Sequence, residues 1–273
     1  MQSILTNIKK ISIPFFLIFI LLFVFSCRNK PATGPNNEKY YENPFSWIGE
    51  EHNNGLSYVY DHLKLKELSR ENKIDISKSL TYDFINASGL SLENFDADYA
   101  FAMVNQFYTS IKKPSDVNSF WNSFIENGDF TNEQKLYLFR IFDLLDNELS
   151  EEQLNDSLYV ISSQAENQLD YNSSLPILAS TSVLINSYEY WSNHIDEWQQ
   201  LVENYSPPLL NKPLKFSIWS VVKWDVAGAV GGAAGGAIAG WLLGPGAAGT
   251  AAAGAVAGGV ACSVADAVYQ LLP

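Results

Sequence analysis

The chain has 273 residues with a formal charge of -13, and 47% of it is hydrophobic and 14% aromatic. That length and composition support a packed protein with a substantial core and exclude a disordered one. An acidic balance of this size excludes nucleic acid as a partner and electrostatic attachment to anionic lipid, both of which need clustered Lys and Arg. Any attachment to a membrane must therefore come from apolar material.

Residues 1–26 supply such material. Lys9 and Lys10 precede an apolar run from Ile11 to Phe25, the layout of a secretory signal peptide, and the run is short for a spanning helix. It ends Val24-Phe25-Ser26-Cys27, which resembles the lipobox of bacterial lipoproteins, although Phe25 is bulkier than the usual small residue at its position. Cys27 is thus the expected lipidation site. Two or more acyl chains on it, at about 0.8 kcal/mol per buried CH₂, would anchor the protein stably. Cleavage ahead of Cys27 leaves 15 basic residues against 30 acidic ones, and Cys262 as a second, small packing residue. Residues 27–44 hold the lipidated cysteine and a polar segment with three prolines, which reads as a flexible tether.

Residues 45–212 read as a helical domain. Trp47, Ile48, Leu56, Val59 and Leu63 fall close to a three-four spacing. Asp75 precedes a second apolar face, and Asn94 to Ile111 carries a third with Tyr99, Ala102, Met103 and Phe107. A helix after Pro114 is expected to stop at Asn127-Gly128. Thr131 with Gln134, and Ser150 with Gln153, have the spacing of capping boxes at two further starts. Pro176 is expected to open a long helix that ends at Pro207-Pro208. No strand alternation and no solenoid period is present, so the expected fold is all-α: a multi-helix domain with a C-terminal Gly/Ala-rich helical hairpin.

That hairpin occupies residues 213–273. Gly228, Gly232, Gly236 and Gly240 recur every fourth residue, which puts them on one helix face. After Gly244-Pro245-Gly246 a second limb repeats the device with Gly246, Thr250, Gly254, Gly258 and Cys262. Each glycine costs a helix up to about 1 kcal/mol relative to alanine, so the rows make sense only where two helices approach closely. Asp225 and Asp266 flank the break at similar distances, so an antiparallel hairpin brings them to the same end. Each limb is about as long as a bilayer core is thick, and Trp224 and Trp241 bracket the first limb as interface anchors would. Against insertion, the second limb has only Val256, Val260 and Val264 as bulky apolar residues. The periodicity calls for a hairpin and leaves open whether protein, a second copy of the chain or a membrane surrounds it.

Candidate chemistry is sparse. His52, His62 and His194 fit no zinc pattern, and no nucleophile elbow, phosphate loop or dinucleotide fingerprint occurs. His52 and His62 stand nearly three turns apart on one helix, so the bland expectation is histidines bonded to neighbouring backbone among solvated carboxylates. Tyr188, Tyr190, Trp191 and Trp198 present two options, a glycan-stacking platform or core packing, and aromatics more often form core. No catalytic residue, metal site or cofactor is assigned.

Gly49, His52, Asn53 and Leu56 form a Gly-x-x-His-Asn-x-x-Leu motif. With the later Tyr190-Trp191 and Trp198 and the Asp225-led glycine tail, it resembles lipoproteins of Bacteroides-like bacteria, a resemblance that brings no activity with it. The Gly-x-x-x-Gly rows also resemble those of certain bacteriocins, which are small secreted peptides. The functional expectation is a cell-envelope lipoprotein of structural or interaction type, more at the outer membrane than the inner because Arg28 rather than Asp follows Cys27. Its partners would be a membrane, through the lipid anchor and through the hairpin, and a second copy of the chain. A pore-forming effector that inserts the hairpin is the alternative, followed by an envelope hydrolase working through surface carboxylates. Cys27→Ala should abolish fatty-acid labelling and the shift from precursor to mature mass; a labelled Cys27→Ala protein would refute the lipidation site.

Overall fold

In the computed structural model the described residues are 42–64, 73–90, 117–203, 216–241 and 247–271. They form eight α-helices: α1 Ser46–Leu63, α2 Lys73–Ala87, α3 Val117–Asn127, α4 Asn132–Asp146, α5 Glu151–Gln168, α6 Tyr171–Glu203, α7 Ile218–Trp241 and α8 Ala247–Leu271. No strand occurs among the described residues, and the fold is all-α. Cys27 and the helix expected over Asn94 to Ile111 lie outside the described residues.

Local chemistry sets several of the helix starts. Thr131 accepts a hydrogen bond from the backbone N–H of Gln134, whose side-chain Oε1 in turn accepts from the Thr131 N–H. Ser150 and Gln153 do the same for α5. Each box satisfies two of the donors that the first turn of a helix leaves without a partner. α3 stops at Asn127, as expected. α6 differs, because it begins at Tyr171 and carries Pro176 inside the helix. Asp170 caps it by accepting from the Ser173 N–H at 3.1 Å and the Ser173 hydroxyl at 2.6 Å. The Asp-x-x-Ser cap outweighs the proline, which so near the N-terminus deletes only one ladder bond.

Packing sorts the faces. On α1 the buried stripe is Ile48, His52, Gly55, Leu56, Val59 and Leu63, whereas Trp47, expected on that face, is 38% exposed. Trp121 of α3 stacks on Phe142 of α4 with ring centroids 3.6 Å apart, joining these two helices through aromatic surface. α8 is the central helix: every residue from Thr250 to Ala267 is buried. It packs against α7, α1, α6 and α2, while α7 also rests on α6.

The α7–α8 contact is made by backbone. A Cβ added at Gly228 would lie 2.1 Å from the carbonyl oxygen of Gly258, one at Gly232 1.8 Å from that of Gly254, and one at Gly236 2.1 Å from that of Thr250. The reciprocal collisions hold at Gly254 with Gly232 and at Gly258 with Gly228. Each step of four along α7 is thus met by a step of four back along α8, the register of an antiparallel pair. The glycine hydrogens point at the facing carbonyls, the arrangement of Cα–H···O contacts between closely packed helices. Thr250 adds a conventional bond from its hydroxyl to the Gly236 carbonyl at 2.8 Å. Gly240 lies in α7, and Gly246 lies outside the described residues.

Trp224 is 1% exposed, so in this structure it is a core residue and not an interface anchor. The expectation of an anchor rested on its spacing from Trp241, which says nothing of what the neighbouring helices cover. Among the described residues α8 alone is long and apolar enough to cross a membrane, with mean hydropathy 1.3 over Gly249–Ala267, and that stretch is buried here by the protein's own helices.

Gly232→Leu should therefore destabilise the fold by at least about 1–3 kcal/mol in urea denaturation, despite the better helix propensity of leucine. Ala234→Leu, on the half-buried side of the same helix, should stay within about 0.5 kcal/mol of the parent. Equal effects at both positions would contradict the contact.

Candidate functional site: a buried polar junction

The four motif residues of α1 act at one place. At Gly49 an added Cβ would lie 2.2 Å from Asn186 Nδ2 and 2.4 Å from the Ser182 carbonyl oxygen, so glycine is what lets α1 lie against α6. Across that contact the Gly49 N–H donates to Ser182 Oγ at 2.9 Å, and the Ser182 hydroxyl donates to the Ser46 carbonyl at 2.9 Å. One turn on, Asn53 Nδ2 donates to the Asn186 carbonyl at 2.9 Å. That bond orients the Asn53 amide and leaves its Oδ1 facing His52 Nδ1 at 3.1 Å. Leu56 fills the core beside them and is fully buried.

The other ring nitrogen of His52 reaches the hairpin. Its Nε2 stands 3.2 Å from Asp225 Oδ1, and both side chains are fully buried. The pair meets an ion-pair distance without the alignment of a good hydrogen bond, and neither atom has a hydrogen bond elsewhere. Because Asn53 presents an acceptor, Nδ1 carries a hydrogen. With Nδ1 turned to Asn53, Nε2 is the ring nitrogen presented to the carboxylate. Asp225 Oδ2 accepts from the Ser187 hydroxyl and from Trp191 Nε1, the latter at 2.9 Å. Gly259 of α8 makes room for the ring, since a Cβ there would sit 2.8 Å from His52 Cδ2. One carboxylate thus joins α1, α6 and α7, with α8 closing over the imidazole.

Tyr190, next in sequence to Trp191, accepts from Trp198 Nε1 at 3.2 Å, and burial pushes its hydroxyl up to about 12. Trp191 and Trp198 are fully buried with ring centroids 5.2 Å apart. They are core, and the glycan platform is not formed in this structure. Cys262 is buried and free, and its thiol is pushed up by burial first and by Asp225 and Asp266 second, so it is held as a neutral packing group. Asp266, at the same end of the hairpin as Asp225, accepts from Ser220 Oγ at 3.1 Å and from Gln270 Nε2.

His62 and His194 meet the bland expectation, placing Nδ1 at 2.7 Å from the Tyr58 carbonyl and 2.8 Å from the Tyr190 carbonyl respectively. His52 departs from it, and the reason is Asp225, more than 170 positions away along the chain. The available signal was the pair of aspartates flanking an uncharged stretch, since an acid within an apolar helix needs buried donors. Ser187, Asp225 and His52 have the composition of a catalytic triad and not its order. Serine and histidine both bond the carboxylate, serine does not bond the imidazole, and all three are fully buried. The arrangement is suited to tying helices together. Among the described residues no cluster of three or more His, Cys, Asp or Glu is placed to hold a metal. No protein-family model, curated protein or solved structure matches the chain.

His52→Ala leaves the Asp225 carboxylate buried without its counterpart and should cost about 3–5 kcal/mol of unfolding free energy. His62→Ala, which removes one bond to backbone at a half-buried site, should cost no more than about 1 kcal/mol. Similar urea midpoints for the two variants would contradict the ion-pair role of His52.

Proposed function

We propose that the chain is a lipid-anchored protein of the bacterial cell envelope, of structural or interaction type, whose Gly/Ala hairpin is the internal spine of its helical domain. The observation that carries this reading is the burial of α8 on all sides from Thr250 to Ala267 by helices of the same chain. Gly228, Gly232 and Gly236 of α7 and Gly254 and Gly258 of α8 are already occupied by the facing limb, which leaves these positions closed to a second protein. Attachment to the membrane then falls to Cys27, through the lipobox-like Val24-Phe25-Ser26-Cys27. The exposed carboxylates of α5, Glu151, Glu152, Asp156 and Glu166, are left to meet partners.

The rival reading, a pore-forming effector, draws on the length and hydropathy of α8. It requires α8 to leave four helices and to trade backbone contacts and a buried ion pair for lipid. A form in which a cleavable secretory signal without cysteine replaces residues 1–27 separates the two. It should be recovered as a soluble monomer, while the wild type sediments with membranes. Retention of that form in membranes after alkaline carbonate extraction would assign the hairpin to the bilayer and overturn the proposal.

A further inference from the structure

Three helices open at one end of the domain. Asn43, just ahead of α1, donates from Nδ2 to the Leu178 carbonyl at 2.8 Å and to Thr181 Oγ1 at 3.2 Å, which fixes the start of α1 against the early turns of α6. The bonds from Gly49 to Ser182 and from Asn53 to Asn186 follow in the same direction, so α1 and α6 run parallel. Gln134 Nε2 of α4 donates to the Ser173 carbonyl at 3.1 Å, so α4 begins beside the start of α6 as well. Of the five exposed large apolar side chains among the described residues, three lie at these starts: Trp47 of α1 at 38%, Leu136 of α4 at 60% and Tyr171 of α6 at 58%. The Tyr171 ring stands 6.2 Å from that of Phe45, two positions before Trp47.

The same end is where the chain enters the domain. From Cys27 to Asn43 there are 16 positions, and that length of chain reaches at most about 55 Å whatever its conformation. Asp196, exposed near the other end of α6, is 25 positions from Tyr171, about 37 Å at the rise of a helix. Turning that far end towards a bilayer that holds Cys27 would take up most of the reach of the chain. Presenting the starts of α1, α4 and α6 takes up almost none of it.

We propose that this end of the domain faces the membrane, with Trp47, Leu136 and Tyr171 in contact with the surface of a bilayer of zwitterionic lipid. The proposal rests on the lipid anchor at Cys27. Single apolar side chains are ordinary on a protein surface. Three at the one end that the anchor holds nearest to lipid make a contact, and tryptophan and tyrosine suit an interface because an apolar ring carries a polar N–H or O–H. Glu42, Glu50, Glu133 and Asp170 are exposed around the same starts, so the surface that fits is neutral and not anionic. The contact is weak by itself. The anchor makes it intramolecular, which raises its effective concentration and gives the domain one preferred orientation, with the Asp196 end turned away from lipid.

The test places a polarity-sensitive fluorophore on the full-length protein at Trp47→Cys, Tyr171→Cys or Asp196→Cys, all exposed positions. Cys262 is buried, and an acylated Cys27 has no thiol to label, so the added cysteine takes the probe. Each labelled protein is reconstituted into phosphatidylcholine vesicles that contain lipid spin-labelled near the headgroup. The probes at 47 and 171 should shift to the blue and lose emission to the spin label, while the probe at 196 should emit as in water. Trp47→Ser combined with Tyr171→Ser should reduce the quenching of a probe at Leu136→Cys, which nearness through the anchor alone would leave unchanged. Wild type that takes up the label at Cys27 and stays in solution refutes the anchor, and the orientation with it. Co-sedimentation with the vesicles but equal quenching at 171 and 196, or full quenching at 136 in the double variant, overturns the contact while leaving the anchor intact.

Discussion

The structure depends on two helices meeting with no side chains between them. Where Gly228 faces Gly258 and Gly232 faces Gly254, the carbonyl of one limb occupies the space that a Cβ of the other would need. Glycine in a helix is unfavourable by itself, so the limbs hold together only because close approach returns dispersion and Cα–H···O energy along their length. The rest of the fold supplies what the hairpin lacks. Small residues give α8 a thin profile that several helices can reach, and those neighbours bring the bulk: Leu56 and Val59 from α1, Phe84 from α2, and Leu184 and Trp191 from α6. A spine of small residues clothed by large ones reaches close packing without large side chains competing for one space.

A helix as apolar as α7 can bury an aspartate only where donors are waiting. Ser187 and Trp191 of α6 and His52 of α1 meet Asp225 from two directions, and Asn53 orients the imidazole. The Gly-x-x-His-Asn-x-x-Leu stretch has a physical meaning in these terms. Gly49 brings the backbone of α1 onto α6, Asn53 sets the imidazole hydrogen, His52 reaches the acid, and Leu56 seals the core. A buried ion pair adds little net stability over an apolar substitute, and its removal by halves is costly. In this chain its effect is geometric, because only one rotation of α7 places Asp225 between α1 and α6.

The small-residue rows that pack α7 on α8 are the same device that transmembrane helices use. In lipid such helices gain little from burying alanine and glycine, whereas inside a protein the surrounding aromatic and aliphatic side chains make contact with every backbone atom they reach. That difference gives physical sense to α8 as a core helix, with only Val256, Val260 and Val264 as bulky apolar residues along its buried length.

Much of the architecture was legible in one dimension, for local reasons. Capping boxes at Thr131 and Ser150, the stop at Asn127 and the four-residue glycine period are written within a few neighbouring positions, and each has a short-range physical cause. Where a longer range mattered, the local reading fell short. Pro176 looked like a helix start although Asp170 and Ser173 had already made one, and Trp47 matched an apolar spacing yet lies at the surface. His52 carried no sign of Asp225, because their meeting follows from three helices packing around a fourth. The sequence by itself determined the helices, their ends and the faces able to approach closely, since period, caps and residue size are properties of a chain. What meets those faces was decided only by the tertiary structure, since whether a glycine row finds its partner limb, a second molecule or lipid depends on which surfaces the remaining helices bring to it.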